Sequence, residues 1–238
     1  MSTAHIYRTV LELAARRHET SPLKQHLDVG AGRGELIRQF RGRFGCESRA
    51  CDYTTELMQV PGVTVDVVNL NQERLPYPDA SFDIVTATEV VEHIEHYRET
   101  LREFHRVLRP GELCIVTTPN AWYPQSRLQF LMRGFFPSFP PLAGKVARGT
   151  HMHITPWSFP QLHVYFKLAG FDAPQVVREP LSHAKHFHER LLAIPARMYC
   201  RSRERRSASG EERGFWKAAA SDESLLGRHL IVFARKSE

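Results

Sequence analysis

The chain is predicted to be an α/β protein with a mainly parallel sheet covered by helices on both faces. Three observations predict it. Segments with strand and helix periodicity alternate along most of the chain, the first strand runs directly into a glycine-rich loop and a helix, and the composition supplies a core. With 238 residues, 42% hydrophobic and 24% charged, the chain has the material for one domain of ordinary size. Disorder and a fibrous fold are excluded by the same numbers.

From about Thr3 to Arg17, Ile6, Val10, Leu11 and Leu13 recur near helical spacing and predict an amphipathic helix closed by Ser21-Pro22. A short apolar strand, Gln25 to Val29, leads into Gly30-Ala31-Gly32-Arg33-Gly34. Leu36, Ile37, Phe40 and Phe44 then mark a helix. Strands are predicted at 47–52 and, rich in β-branched residues, at 63–68. The turn-rich Pro76-Tyr77-Pro78-Asp79 precedes a strand at 83–87, and a helix from Tyr97 to Leu108 is stopped by Arg109-Pro110-Gly111. The fifth strand, 113–117, ends at Thr118-Pro119-Asn120. Residues 158–169 read as a helix, 171–177 as a strand and 228–234 as the last strand. The single domain 1–238 thus carries two expected insertions, an aromatic, proline-rich one at 121–156 after strand 5 and a basic, helical and partly disordered one at 181–227 before the last strand.

The chain has 32 Lys and Arg against 26 Asp and Glu. The excess is local, because residues 183–206 hold seven Lys/Arg and two Glu, and the remaining body is nearly neutral. That distribution argues against a nucleic-acid partner. The four cysteines form no CxxC pair and the opening residues lack a secretory pattern, so reduced thiols and a cytoplasmic location are expected. No window holds the roughly 20 apolar residues of a membrane span.

Gly30, Gly32 and Gly34 let the backbone turn sharply and approach a ligand, while the following helix offers unpaired N–H groups. Asp52 closes the second strand 22 residues after Gly30, where a carboxylate can accept ribose hydroxyls. Asn69 and Leu70 follow the third strand and offer an amide and a backbone N–H to an adenine edge. Glu89 ends the fourth strand, so all four features gather at the carboxyl edge of one sheet. Glu35 stands where the dinucleotide pattern G-x-G-x-x-G needs its third glycine, which disfavours NAD. A carboxylate at Asp28 suits a cationic sulfonium or amino group, and so S-adenosylmethionine.

Leu27-Asp28-Val29-Gly30-Ala31-Gly32-Arg33-Gly34, Cys51-Asp52-Tyr53, the run from Leu75 to Asp83 and Arg106-Val107-Leu108-Arg109-Pro110-Gly111 resemble, in order and spacing, the motif series of class I S-adenosylmethionine-dependent methyltransferases. The resemblance spans about 25–120. It implies a Rossmann-like seven-stranded sheet in order 3-2-1-4-5-7-6 with the last strand antiparallel. It also implies methionine near Asp28, Gly30 and Gly32, ribose on Asp52 beside Tyr53, and adenine beside Asn69 and Leu70. Asn69 departs from the Asp of many members.

Transfer from a sulfonium needs a positioned acceptor and, for a hydroxyl, a base. His93 and His153 are the candidates. If 89–93 is helical, Glu89, Glu92 and His93 share one face, with Glu89 shaping the pocket. Glu89-x-x-Glu92-His93 followed by His151-Met152-His153 is similar to ubiquinone-pathway O-methyltransferases and small-RNA 2′-O-methyltransferases, in which such residues bind a divalent ion. The resemblance thus leaves a metal open, manganese or zinc suiting the mixed donors better than magnesium. The expected activity is O-methylation of a small-molecule or glycan hydroxyl, with methylation of an RNA end, or cofactor binding without turnover, as alternatives. Residues Trp122 to Ala143 are too apolar for a solvated loop and read either as a lid over the acceptor or as a packing contact. Phe187, Leu191, Ile194 and Met198 form an apolar face flanked by basic residues, which packs on its own domain or rests peripherally on an anionic inner membrane face.

Overall fold

A computed structural model describes residues 3–139, 152–178 and 187–237. His151 and the segments 140–150 and 179–186 fall outside the described residues.

Helix α1 (Thr3–Thr20) turns Ile6, Val10 and Ala14 inward, with Leu13 also buried, and Arg17 fastens it to Glu112 across 95 residues of sequence. Strand β1 (Gln25–Val29) is buried along four of its five residues, as expected of a strand covered on both faces. It is followed by α2 (Glu35–Phe44), β2 (Glu47–Asp52), β3 (Val65–Val67), β4 (Phe82–Thr88), α3 (Tyr97–Val107) and β5 (Leu108–Pro119). Then come α4 (Pro124–Arg133), α5 (Phe159–Leu168), β6 (Gln175–Val177), three helices α6 (Phe187–Arg206), α7 (Gly210–Ala219) and α8 (Asp222–Leu226), and β7 (His229–Arg235). The seven strands form one sheet in order β3-β2-β1-β4-β5-β7-β6, parallel except for β7, which runs antiparallel to both neighbours.

Three sequence expectations change. The third strand shrinks to three residues. The sixth shrinks likewise, because Pro174 offers no ladder N–H, and Phe171 makes only an isolated bridge to Lys236. The fifth begins at Leu108, since Arg109-Pro110-Gly111 enters the strand as an irregularity in the register with Phe82 and Ile84 instead of as a turn. Within the basic insertion, expected to be helical and partly disordered, 187–226 carries three helices in close succession.

The order reverses between β1 and β4, which pair side by side while their connections leave in opposite directions. That reversal opens a crevice at the carboxyl ends of the strands. The residues that line the cavities described below lie at or just beyond that edge.

Candidate functional site

A cavity of about 340 Å³ lies at this crevice. Gly30 and Gly32 form its floor, both with positive φ (69° and 50°). A Cβ at Gly30 would stand 2.3 Å from Val90 Cγ2, so only glycine fits there. Asp52 organises this loop directly: one carboxylate oxygen accepts from the Gly32 N–H (2.8 Å) and the other from the Tyr53 N–H (2.7 Å). Its remaining lone pairs face the cavity it lines, and Tyr53 lines the same wall.

Asn69 and Leu70 line the far end, and Leu57, Val68 and Ile94 give it an apolar surface. The Asn69 side-chain oxygen already accepts from the Asn71 N–H (3.1 Å), so its second lone pair and its NH2 are what it presents to a base edge. Asn71, missed in the sequence, accepts from Glu95 N–H (2.8 Å) and thereby ties this end to the segment before α3. No sequence signal beyond an Asn-rich turn marks it.

Asp28 lies one layer below, 3% exposed, and is not among the side chains lining the cavity. It heads a buried polar line across three strands: Thr86 Oγ1 stands 2.8 Å from Asp28 Oδ1, His26 Nε2 stands 2.8 Å from Thr86 Oγ1, and Ser48 Oγ lies 3.1 Å from His26 Nδ1. His26 is fully buried and stacked 3.8 Å from Phe40, and burial pushes its pKa down to about 3, so the imidazole is neutral. When Asp28 is ionised, the single Thr86 proton must go to it. His26 then donates from Nε2 to Thr86 and accepts from Ser48 at Nδ1, which aligns all three hydrogen bonds toward the carboxylate. Burial, with a smaller push from Asp52, raises the Asp28 pKa to about 7 despite the Thr86 bond. Tyr7 of α1 and Cys51 of β2 also feel the Asp28 charge.

Glu89 does not share a helical face with Glu92 and His93. Only Val91–His93 form a single 3-10 turn, and Glu89 precedes it with φ 56°, a left-handed conformation that a non-glycine residue adopts at a cost. Thr117 holds it there twice, accepting the Glu89 N–H (3.1 Å) and donating its hydroxyl to Glu89 Oε1 (2.9 Å). Glu89 Oε2 lies 3.7 Å from His229 Nε2. Sequence periodicity missed this geometry because one residue of left-handed backbone resets the helical phase.

Glu89 is also a wall between two cavities. The second, about 460 Å³, is lined on its own side by Gln125, Ser126 and Gln129 of α4, by Tyr123, Phe136 and Phe139, and by His153, Arg228 and His229. Residues 121–139 of the expected lid therefore divide: Tyr123 and Phe139 are buried and roof this cavity, whereas Phe130, Leu131 and Met132 face outward.

His93 borders the first cavity and His153 the second, with ring centroids 4.7 Å apart and nearly perpendicular. The Met152 carbonyl accepts from His93 Nδ1 (3.0 Å), which leaves Nε2 as the basic nitrogen. Burial first, then the neighbouring His93, lowers the His153 pKa. Glu92 is fully buried, and among the described residues neither of its carboxyl oxygens has a hydrogen-bond partner. Burial and then Glu89 raise its pKa. One donor atom from each of Glu92, His93 and His153 lies within 4.8 Å of the others, a mixed oxygen and nitrogen set that could hold a divalent ion such as zinc or manganese. An orphaned buried carboxylate beside two imidazoles fits such an ion, which would satisfy the unpaired oxygens. Glu89, turned to Thr117 and His229, stands outside this group.

A doubly wound sheet with a glycine turn, an acid at the end of β2 and an amide after β3 around one crevice defines a nucleotide-type cofactor site. Residues 27–116 match the methyltransferase domain family. The chain is 30% identical over 151 residues to the ubiquinone/menaquinone biosynthesis C-methyltransferase UbiE of Ectopseudomonas mendocina, covering 58% of this chain and 57% of that protein. It is 29% identical over 155 residues to the mitochondrial ubiquinone biosynthesis O-methyltransferase of Mus musculus, covering 60% and 40%. The chain thus spans about half the length of the curated relatives it matches. Among solved structures, a SAM-dependent methyltransferase from Archaeoglobus fulgidus superposes with a TM-score of 0.55 at 17% identity, covering 96% of this chain and 94% of that one. The family match over residues 27–116, these relatives and the sheet order together support a class I S-adenosylmethionine-dependent methyltransferase domain.

Proposed function

We propose that this protein transfers the methyl group of S-adenosylmethionine to a hydroxyl of a small-molecule or glycan acceptor. The observation that carries the reading is the shared Glu89 wall, with His93 on the cofactor side and His153 on the other. In this reading the first cavity takes the cofactor, with Asp52 on ribose and Asn69 and Leu70 at adenine. The second takes the acceptor. Its amides, Arg228 and aromatic rings suit a molecule with several hydroxyls, since each buried hydroxyl needs a partner and the rings cover its apolar faces. Transfer forms a C–O bond as the C–S bond breaks. His93 takes the hydroxyl proton at Nε2, and S-adenosylhomocysteine departs neutral at sulfur.

The test is labelled methyl transfer into polyol and oligosaccharide acceptors, with calorimetric S-adenosylmethionine binding beside it. His93→Ala is expected to lower kcat by about 10²–10⁴ and to leave cofactor affinity within several-fold. Unchanged transfer in the variant would remove His93 from the reaction, and binding without any methylated product would mean a protein that keeps the cofactor but not turnover.

A second reading is favoured by the orphaned Glu92 carboxylate. There Glu92, His93 and His153 hold a divalent ion that would polarise the acceptor hydroxyl. Chelator treatment followed by metal analysis and manganese or zinc titration distinguishes the two. Stoichiometric metal that Glu92→Gln loses supports the ion, and metal-free protein with full activity ends this second reading.

A further inference from the structure

Helix α6 has two faces that its sequence separates cleanly. Glu189, Ala193 and Cys200 are buried against the domain. Two residues out of phase, roughly 200° around the helix, Phe187, Leu191, Ile194 and Met198 are exposed, with Phe187 at 76% and Met198 at 66%. The same angular stripe continues one and two turns further into Arg201 and Arg205. Both are exposed, and among the described residues neither is in an ion pair. Arg197 and Arg203, off this stripe, are engaged with Asp222 and Glu212.

Helix α4 lies alongside and widens the stripe into a plate. Arg127 Nη2 donates to the Leu192 carbonyl (2.9 Å), which fixes the two helices together. Gln125, Ser126 and Gln129 face the second cavity, while Leu128 and Leu131 are turned away from it, Leu131 at 82% exposure. Arg133 is exposed at the end of this helix. An apolar plate with unpaired arginines at its margin is expensive in water and complementary to one kind of surface, apolar inside and anionic at the boundary. A protein partner with an apolar groove would match the leucines but leave those arginines without counter-charge.

We propose that the α4–α6 plate docks on an anionic lipid bilayer, with Leu131, Phe187, Leu191 and Met198 at the acyl boundary and Arg201 and Arg205 among the headgroups. No described helix is long and apolar enough to cross a membrane, so the contact is peripheral. Because α4 separates the plate from the second cavity, that cavity stands about one helix diameter, 10 Å, from the lipid surface. On the methyl-transfer reading above, an acceptor anchored in the bilayer can then present its hydroxyls without leaving it.

The experiment is cosedimentation of the full chain, with neither cofactor nor acceptor present, using vesicles of phosphatidylcholine alone or with about 30 mol % phosphatidylglycerol. Binding to the anionic vesicles and not to the neutral ones is expected, falling at about 0.5 M salt. Arg201→Glu with Arg205→Glu, and separately Leu131→Glu with Met198→Glu, should each weaken it at least ten-fold, with circular dichroism and S-adenosylmethionine binding unchanged. Absence of binding at low salt, binding indifferent to both variants, or light scattering that shows a dimer lost in Leu131→Glu with Met198→Glu would each overturn the proposal. Lipid binding is read without turnover, so its failure is separate from that of the methyl-transfer reading.

Discussion

Replacing Asp28 by Asn should make the cofactor-free protein more stable and the cofactor weaker bound. The folded pKa of about 7 lies above the ordinary 3.8, so at neutral pH the folded chain pays to ionise a carboxyl that the unfolded chain ionises freely. That penalty is absent below pH 3.8, grows through the window up to about 7 and is complete above it. Asn keeps the Thr86 bond and carries no charge. At pH 8 the melting temperature should rise by about 3 °C or more, the shift worth roughly 1 kcal/mol in a chain of this size. Affinity for S-adenosylmethionine should fall about 10- to 100-fold, the loss expected when a buried negative charge one layer behind the cavity no longer attracts the cation through space. In the wild type, affinity should drop about eight-fold between pH 7.5 and 6 as Asp28 takes up its proton, and the Asn variant should lose that slope. Calorimetry across this range checks both. Equal affinity of the two proteins at every pH would place the carboxyl outside cofactor binding.

The second large effect falls on Trp157, which touches neither cavity. Its ring is 1% exposed, its indole Nε1 donates to the Val91 carbonyl (3.2 Å), and its own carbonyl accepts from Ala121 N–H (2.8 Å). The strand-like stretch before it donates twice to the Glu92 carbonyl, from Ile154 and Thr155 (2.8 and 3.0 Å). Trp157 therefore clamps the 3-10 turn that aims His93. Trp157→Ala should cost about 3–5 kcal/mol, from the emptied volume and the lost indole hydrogen bond to the Val91 carbonyl, and lower the melting temperature by about 10 °C or more. Trp157→Phe restores most packing but not the N–H, so it should recover most of the stability and less of the kcat. A melting temperature within 2 °C of wild type in the Ala variant would contradict this role.

The sheet was legible because the core of β5 is a continuous apolar run (113–116), β4 carries Ile84-Val85 at its centre, and β1, mixed in composition, is marked by the glycine loop that follows it. The cofactor edge was legible for a related reason: Gly30 and Asp52 answer to backbone geometry, which leaves few residue types free. Asp28 was singled out as a carboxylate for the sulfonium or amino group, and the structure sets it behind the loop, outside the cavity lining. Its buried Thr86–His26–Ser48 support was not visible, because those side chains meet only through pairing of β2, β1 and β4. Glu89 was placed at the right edge and given the wrong partners, since a left-handed residue leaves no mark on periodicity. The lining of the second cavity was hidden for the same reason as Asn71. Arg228 and Gln125 are brought together by tertiary packing, and nothing in their local sequence distinguishes them from solvated residues.

Glu89 has one more consequence. Its backbone N–H donates to Thr117 Oγ1 and its carboxylate accepts from the same hydroxyl, which pins the residue where the two chambers meet. On the methyl-transfer reading proposed above, the distance from the sulfonium to the opposite anchoring groups is set by the protein and not by the guest. Selection among acceptors would then be a matter of reach: a molecule would be modified at whichever hydroxyl lies the right span from its anchored end, and a shorter or longer homologue would be held without reacting.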